Sequence, residues 1–409
     1  MLITPSLLHV KTRTGRHQQE AASLLRPVGL AEGFGLDGLT ATEVLERLDV
    51  PVMRQGPEET EWACIRADHA AMAEAGEWGD LLEALNFADQ DRTMASGGRR
   101  VAHLISEGAR GSLTKSLEIQ DFAAAAAEVE RFEAVLAMHP EDAAAVHLLA
   151  QALIDTGSVK RDLATKGHLS RDLWEESARD FAAAEDLLDE FDPIERLSPL
   201  LAATRYLLVR GIEDGASLCR DWFEDWCDLD PEDAVAHATH AVHMMPGWFG
   251  SLSIFEKEAR RAAAMTHAST GKLAYAVFHL AAAESVGGLL PSLDLELFIE
   301  ALADYQTATG CQHRANVSAN VLTEMVRSYR MAGPAANYQL TKVRTALSDV
   351  LWNRLHEVHL DRWDHGADSL ALALSEVFGP ALKRGARISR RGDGLFTRVP
   401  RMISDRPRS

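Results

Sequence analysis

Histidine is the residue type in this chain best suited to metal or proton chemistry, and it is densest at His237, His240 and His243. Imidazoles bind zinc and exchange protons near neutral pH. Spacings of three and three rotate successive side chains away from one another around a helix, whereas one shared face needs combinations of three and four. Zinc also requires three or four convergent ligands, so no metal is expected here. His356, His359 and His365, with Asp361 and Asp364 nearby, form a second candidate. The string His356-Glu357-Val358-His359 lacks His-Glu-x-x-His spacing, and a solvated helix face is the expectation.

Gly33-Phe34-Gly35-Leu36-Asp37-Gly38 formally fits a dinucleotide fingerprint. That chemistry needs a preceding strand and a helix start aimed at the pyrophosphate. No such context is legible, so a flexible turn is expected and no cofactor is assigned. The four cysteines, Cys64, Cys219, Cys227 and Cys311, include no Cys-x-x-Cys pair and read as reduced, mostly buried thiols. Trp222, Phe223 and Trp226 sit among Asp221, Glu224, Asp225 and Asp228 and read as packing. Trp248 and Phe249 follow Pro246-Gly247 in a turn. No nucleophile with an adjacent base stands out, and no catalytic residue is assigned.

The elements that must position these residues read as helices. The chain is 46% hydrophobic with few aromatics and abundant Ala and Leu, a composition suited to helices rather than sheets. In 120–138, Phe122, Ala126, Val129, Phe132 and Leu136 recur at spacings of three and four, an amphipathic stripe. Helices are also expected over 143–155, closed by Gly157, over 170–191, and in successive segments from 200 to 382. Thr40-Ala41-Thr42-Glu43 has capping-box spacing before Val44, Leu45 and Leu48. The phrase Pro-Glu-Asp-Ala occurs twice, at 140–143 and 231–234. Helix-start chemistry alone could produce it, with Asp230 as the cap and Pro231 at the first helical position.

Val146, Leu149, Ala150, Leu153 and Gly157, preceded by Phe132, Leu136 and Pro140, resemble the tetratricopeptide-repeat (TPR) superfamily. Leu200, Ala203, Thr204, Leu207 and Gly211 give a second match, and His237, His240, Ala241 and Met244 a third in which histidines take core places. The two phrases lie about 91 residues apart, not a multiple of the roughly 34-residue period. The resemblance implies an all-α fold, an α-solenoid of antiparallel helix pairs over 56–385. It is flanked by a small irregular N-terminal segment, 1–55, and a basic, disordered tail, 386–409. It also implies a concave face that binds a protein or peptide. Carried over residue by residue, that face presents Ala144, His147 and Gln151 in one unit, and Val235, Ala238 and Val242 in another, with Trp248 as an aromatic contact.

Net charge is −19, so a general nucleic-acid binder is disfavoured. The excess of arginine after Lys383 leaves a tail-mediated, salt-sensitive contact with nucleic acid as a minor expectation. With no sustained apolar stretch and a poor leader at 1–10, a cytoplasmic location is expected. The leading functional expectation is a non-enzymatic scaffold or adaptor. Its alternative is an all-helical enzyme with histidines and carboxylates lining a cavity.

Overall fold

The computed structural model describes residues 38–166 and 170–399. It is predominantly helical, 74% helix with little strand, so the chain is all-α. No helix among the described residues is long and apolar enough to cross a membrane. The glycines at 33 and 35, and the last basic residues from 400 onward, lie outside the described residues.

The chain divides into two compact units. Among the described residues, one contains 61–294 and the other combines 38–60 with 295–399.

In the first unit, Trp78–Gln90, Val101–Ala109, Gly111–Glu118, Phe122–Met138 and Ala143–Lys166 are helices around one apolar core. Trp78, Leu81, Leu85, Ile105, Leu113, Phe132, Val135 and Leu148 fill it. The Phe122–Met138 helix begins where the Asp121 carboxylate accepts the Ala124 N–H, the usual way of satisfying an orphan donor at a helix start. Its buried stripe runs through Ala125 and Phe132, whereas Ala126, placed on the stripe from sequence, is exposed. The next helix does not close at Gly157 as expected but continues to Lys166. Gly157 serves close packing instead: a Cβ there would come within 3.1 Å of Asp180 and Phe181 on the Arg171–Asp189 helix. Gly211 leaves less room, since a Cβ there would lie 2.0 Å from the Phe181 ring. Phe181, 1% exposed, is therefore seated against two glycines.

Both copies of Pro-Glu-Asp-Ala fold alike. In each copy the aspartate of the phrase is the cap, and in the second it takes the place expected of Asp230. Asp142 Oδ1 accepts from the Ala144 and Ala145 N–H groups at 2.9 and 3.1 Å. Asp233 Oδ1 accepts from Val235 at 3.0 Å at the start of Ala234–His243. The prolines stand in the turn ahead of each helix rather than at its first position. The helices Pro199–Leu207, Gly215–Leu229, Leu252–Met265 and Leu273–Val286 also belong to this unit, as does most of Pro57–Ala75.

The second unit is built on the helices Leu295–Thr307, Gln312–Ala332, Asn337–Asn353 and Ala367–Lys383, with Ala41–Leu45 packed on the last. The capping box is formed: Thr40 and Glu43 exchange hydrogen bonds at the start of Ala41–Leu45. Two short parallel pairings tie early chain to late chain, Leu48–Asp49 with Arg387–Arg391 and Val52–Met53 with Val358–His359. Arg387–Arg391 then turns back as Gly394–Arg398 in an antiparallel hairpin. A disordered tail was expected there. The hairpin forms because Ile388 and Leu395 are buried against the unit while Arg387, Arg390, Arg391 and Arg398 face solvent. Gly392, at φ +61°, supplies the turn.

Candidate functional site

The Ala234–His243 helix carries its three histidines wholly inside the first unit, each 0% exposed. Around them the hydrogen-bond polarity can be read atom by atom. Arg210 Nε donates to His243 Nε2 at 3.0 Å, and a guanidinium can only donate. His243 must then carry its proton on Nδ1, which donates to the Tyr206 hydroxyl at 2.9 Å. Tyr206 in turn donates to His240 Nδ1 at 2.8 Å. The remaining His240 proton sits on Nε2, 3.7 Å from Glu258 Oε2, too far for a hydrogen bond. Burial holds the His240 and His243 imidazoles below their usual range and so keeps them neutral. His237 is pushed down to about 4, chiefly by burial.

This chain of polar groups is sealed. Phe223 stacks on His240 with centroids 3.9 Å apart, and Phe278 meets the same ring edge-on at 5.9 Å. Burial also raises the Cys219 thiol to about 11, so it is protonated beside Tyr206. His240 and His243 share the Tyr206 hydroxyl, whereas His237 Nε2 lies 3.3 Å from the Pro231 carbonyl.

A second buried group lies at the N-terminal end of the same helix. Arg100 Nε and Nη2 grip Asp230 at 2.7 and 2.5 Å, a bidentate pair. His103 Nε2 lies 2.8 Å from Asp233 Oδ2. Burial alone would lower the His103 imidazole and raise the Asp233 carboxyl. Their mutual charge and hydrogen bond outweigh it, so His103 is raised and Asp233 lowered.

The residues expected on a concave binding face lie mostly inside the unit. Ala144, His147 and Gln151 are buried. His147 is held between Ser106 Oγ and Thr204 Oγ1, both at 2.6 Å, and Gln151 donates to Asp155 at 2.9 Å. Val235 and Val242 are also buried, and Ala238 is half-buried. Trp248 is 37% exposed, its ring tilted against His243 with centroids 5.2 Å apart. A partner could not touch the five buried residues without parting packed helices. His356, expected with His359 on a solvated helix face, instead precedes a strand, and His359 within that strand is 0% exposed.

An accessible concavity does occur in the first unit, at the first Pro-Glu-Asp-Ala turn. Gly79, Leu82, Glu83, Asn86, Phe87 and Gln90 line one side of a groove of about 390 Å³, and His139 and Asp142 the other. Asn86 Nδ2 donates to both oxygens of Asp142 at 3.0 Å, fixing the groove wall to the helix cap. Phe87 is 65% exposed, and Met138, next to the groove residue His139, is 64% exposed. The sequence carried a signal for this. Leu81, Leu85 and Ala88 form the buried stripe of the Trp78–Gln90 helix, and Phe87 is the large apolar residue out of phase with it. The second unit has a groove of about 630 Å³ lined by Thr341, Arg344, Thr345, Ser348, Trp352 and Glu376 among others. None of the buried histidines of the first unit lines either groove.

Comparisons with protein-family models, with curated proteins and with solved structures find no match to this chain.

Proposed function

We propose that the chain is a TPR-like helical-repeat protein that binds a protein or peptide partner through the Phe87 groove. The exposure of Phe87 in a groove also lined by Glu83, Asn86, Gln90, His139 and Asp142 carries this reading. Aromatic side chains that remain accessible in a concave site supply much of the affinity at binding hot spots. Glu83 and Asp142 line the same groove and Glu141 adjoins it, in a chain whose net charge is −19. The complementary partner is a segment with a large apolar side chain flanked by lysine or arginine. Support for the repeat architecture comes from consecutive helices packing on their sequence neighbours: Phe122–Met138 on Ala143–Lys166, and that helix on Arg171–Asp189.

Selection of displayed peptides on the full chain tests the reading. The expected pool is enriched in a large apolar residue with basic residues beside it, binds more weakly as salt rises, and is lost on Phe87→Ala. An unbiased pool, or one retained by Phe87→Ala, rejects it.

A further inference from the structure

The Glu58, Glu59 and His359 side chains meet in the second unit. Each offers one ligand atom, and these atoms all lie within 4.8 Å of one another. Glu58 and Glu59 open the Pro57–Ala75 helix, and His359 ends the short strand paired with Val52–Met53. Gly56 makes the approach possible. A Cβ at that position would come 2.3 Å from His359 Cε1 and 2.6 Å from Glu58 Oε2.

The hydrogen bonds leave a defined gap. His359 Nε2 lies 2.7 Å from Glu357 Oε1. An ionised carboxylate only accepts, so Nε2 carries the proton and a neutral ring leaves a bare lone pair on Nδ1. That Nδ1 faces Glu58 Oε2 across 3.9 Å, beyond hydrogen-bond reach. Neither atom has a hydrogen-bond partner, and both are buried, with His359 0% and Glu58 4% exposed. Glu58 Oε1 is engaged separately, accepting the His313 N–H at 3.1 Å.

With the ring neutral, two buried acceptors face one another and leave electron pairs unmatched, a costly arrangement. A cation between them removes the cost. The histidine already has the orientation usual in metal sites, one ring nitrogen anchored to a carboxylate and the other free to coordinate.

We propose that Glu58, His359 and Glu59 hold a divalent transition-metal ion, with Glu357 as the positioning residue for the imidazole. One nitrogen and two carboxylates suit zinc, manganese or cobalt rather than calcium or magnesium, which prefer all-oxygen sets. Glu59 must turn one oxygen inward. At present it accepts from Gly56 N at 2.6 Å and faces His313 Nδ1 at 2.9 Å and Arg362 Nε at 3.1 Å. The local charge favours the ion. Beside Glu58 and Glu59, Glu357 holds the far side of the His359 ring and Asp361 is close enough to interact with Glu59, against Arg362 and the largely exposed Arg54. Its role is structural. It joins the start of the Pro57–Ala75 helix to the strand at Val358–His359 within a unit assembled from distant stretches of chain. The site does not depend on the partner-binding reading.

The test is titration of the metal-stripped full chain with Co²⁺, read by visible absorption, and with Zn²⁺, read by calorimetry and melting temperature. The expected result is one tight equivalent, a Co²⁺ spectrum typical of nitrogen and oxygen ligands, and a higher melting temperature with Zn²⁺. His359→Gln and Glu58→Gln should each weaken binding by at least about 100-fold, and Glu357→Gln by about 10- to 100-fold. Circular dichroism of each variant without metal checks its fold. Should His359→Gln fail to fold, histidine nitrogen NMR of the native chain decides. A His359 Nδ1 signal that shifts on Zn²⁺ addition supports the site, and a doubly protonated ring indifferent to Zn²⁺ overturns it. Absence of stoichiometric binding, or equal affinity in all folded variants, also overturns it.

Discussion

Asp233 caps the Ala234–His243 helix and at the same time lies 2.8 Å from His103. The parallel aspartate of the first phrase, Asp142, caps its helix while Asn86 donates to it. The same turn is thus anchored twice by an earlier helix, once through a neutral amide and once through a titrating imidazole.

That difference gives the second turn a pH window. His103 is raised, so its contribution is complete below the ordinary 6.5 and is lost as pH climbs through its folded value. Asp233 is lowered, so its contribution holds above the ordinary 3.8 and is lost as pH falls through its folded value. Asp233→Asn keeps a competent cap and removes the charge. We expect a loss of about 1–3 kcal/mol near pH 5.5 and a smaller loss at pH 8, measured by urea denaturation across pH.

Tyr206→Phe should be among the costlier single changes. It removes the one hydroxyl between His240 and His243, strands His243 Nδ1 in a sealed interior and leaves His240 Nδ1 only the Cys219 thiol at 3.8 Å. We expect a loss of about 2–4 kcal/mol with little change in helix content, read by chemical denaturation and circular dichroism.

Gly211→Ala should destabilise by about 2–3 kcal/mol through overpacking, because the added methyl meets the Phe181 ring. Phe181→Leu is costly alone but should recover part of that loss in the double variant. A double-mutant cycle by thermal melting measures the coupling, and additivity would show that the ring is not the obstacle.

The first unit should be acid-labile. His237 is held at about 4 against an ordinary 6.5, so the unfolded chain takes up a proton that the folded chain refuses. Stability therefore falls as pH drops from 6.5 toward 4. His237→Leu should reduce that fall by about 2–3 kcal/mol, as measured by the pH dependence of the denaturation midpoint.

Phe87→Ala should leave stability within about 0.5 kcal/mol, since the ring is largely exposed. An unchanged melting temperature alongside lost peptide binding would separate recognition from folding at this position.

Local chemistry made several elements legible. Thr40 and Glu43 form the expected capping box, and Phe122, Val129, Phe132 and Leu136 all pack on the core. Gly157 misled because a glycine after an apolar stripe reads as a helix stop, while its use is against Phe181, a residue known to be close only from the packing. The arginine-rich end misled in a similar way. Its apolar alternation, Ile388 and Leu395, is sparse, and its first pairing partner is Leu48. Glu58 and His359 are about 300 residues apart, and no periodicity links positions at such separation. The histidines of 237–243 were found by type, but their partners Tyr206, Arg210 and Glu258 follow from tertiary structure alone.

The pairing of Leu48 with Ile388 also sets an order of events during synthesis. About 340 residues must leave the ribosome after Leu48 before its strand partner exists, roughly 20–70 s at ordinary elongation rates. The stretch Glu61–Asp294 is contiguous and emerges during that wait. The split unit is finished last, and a nascent chain stopped before the hairpin lacks the strand that Leu48 and Asp49 need.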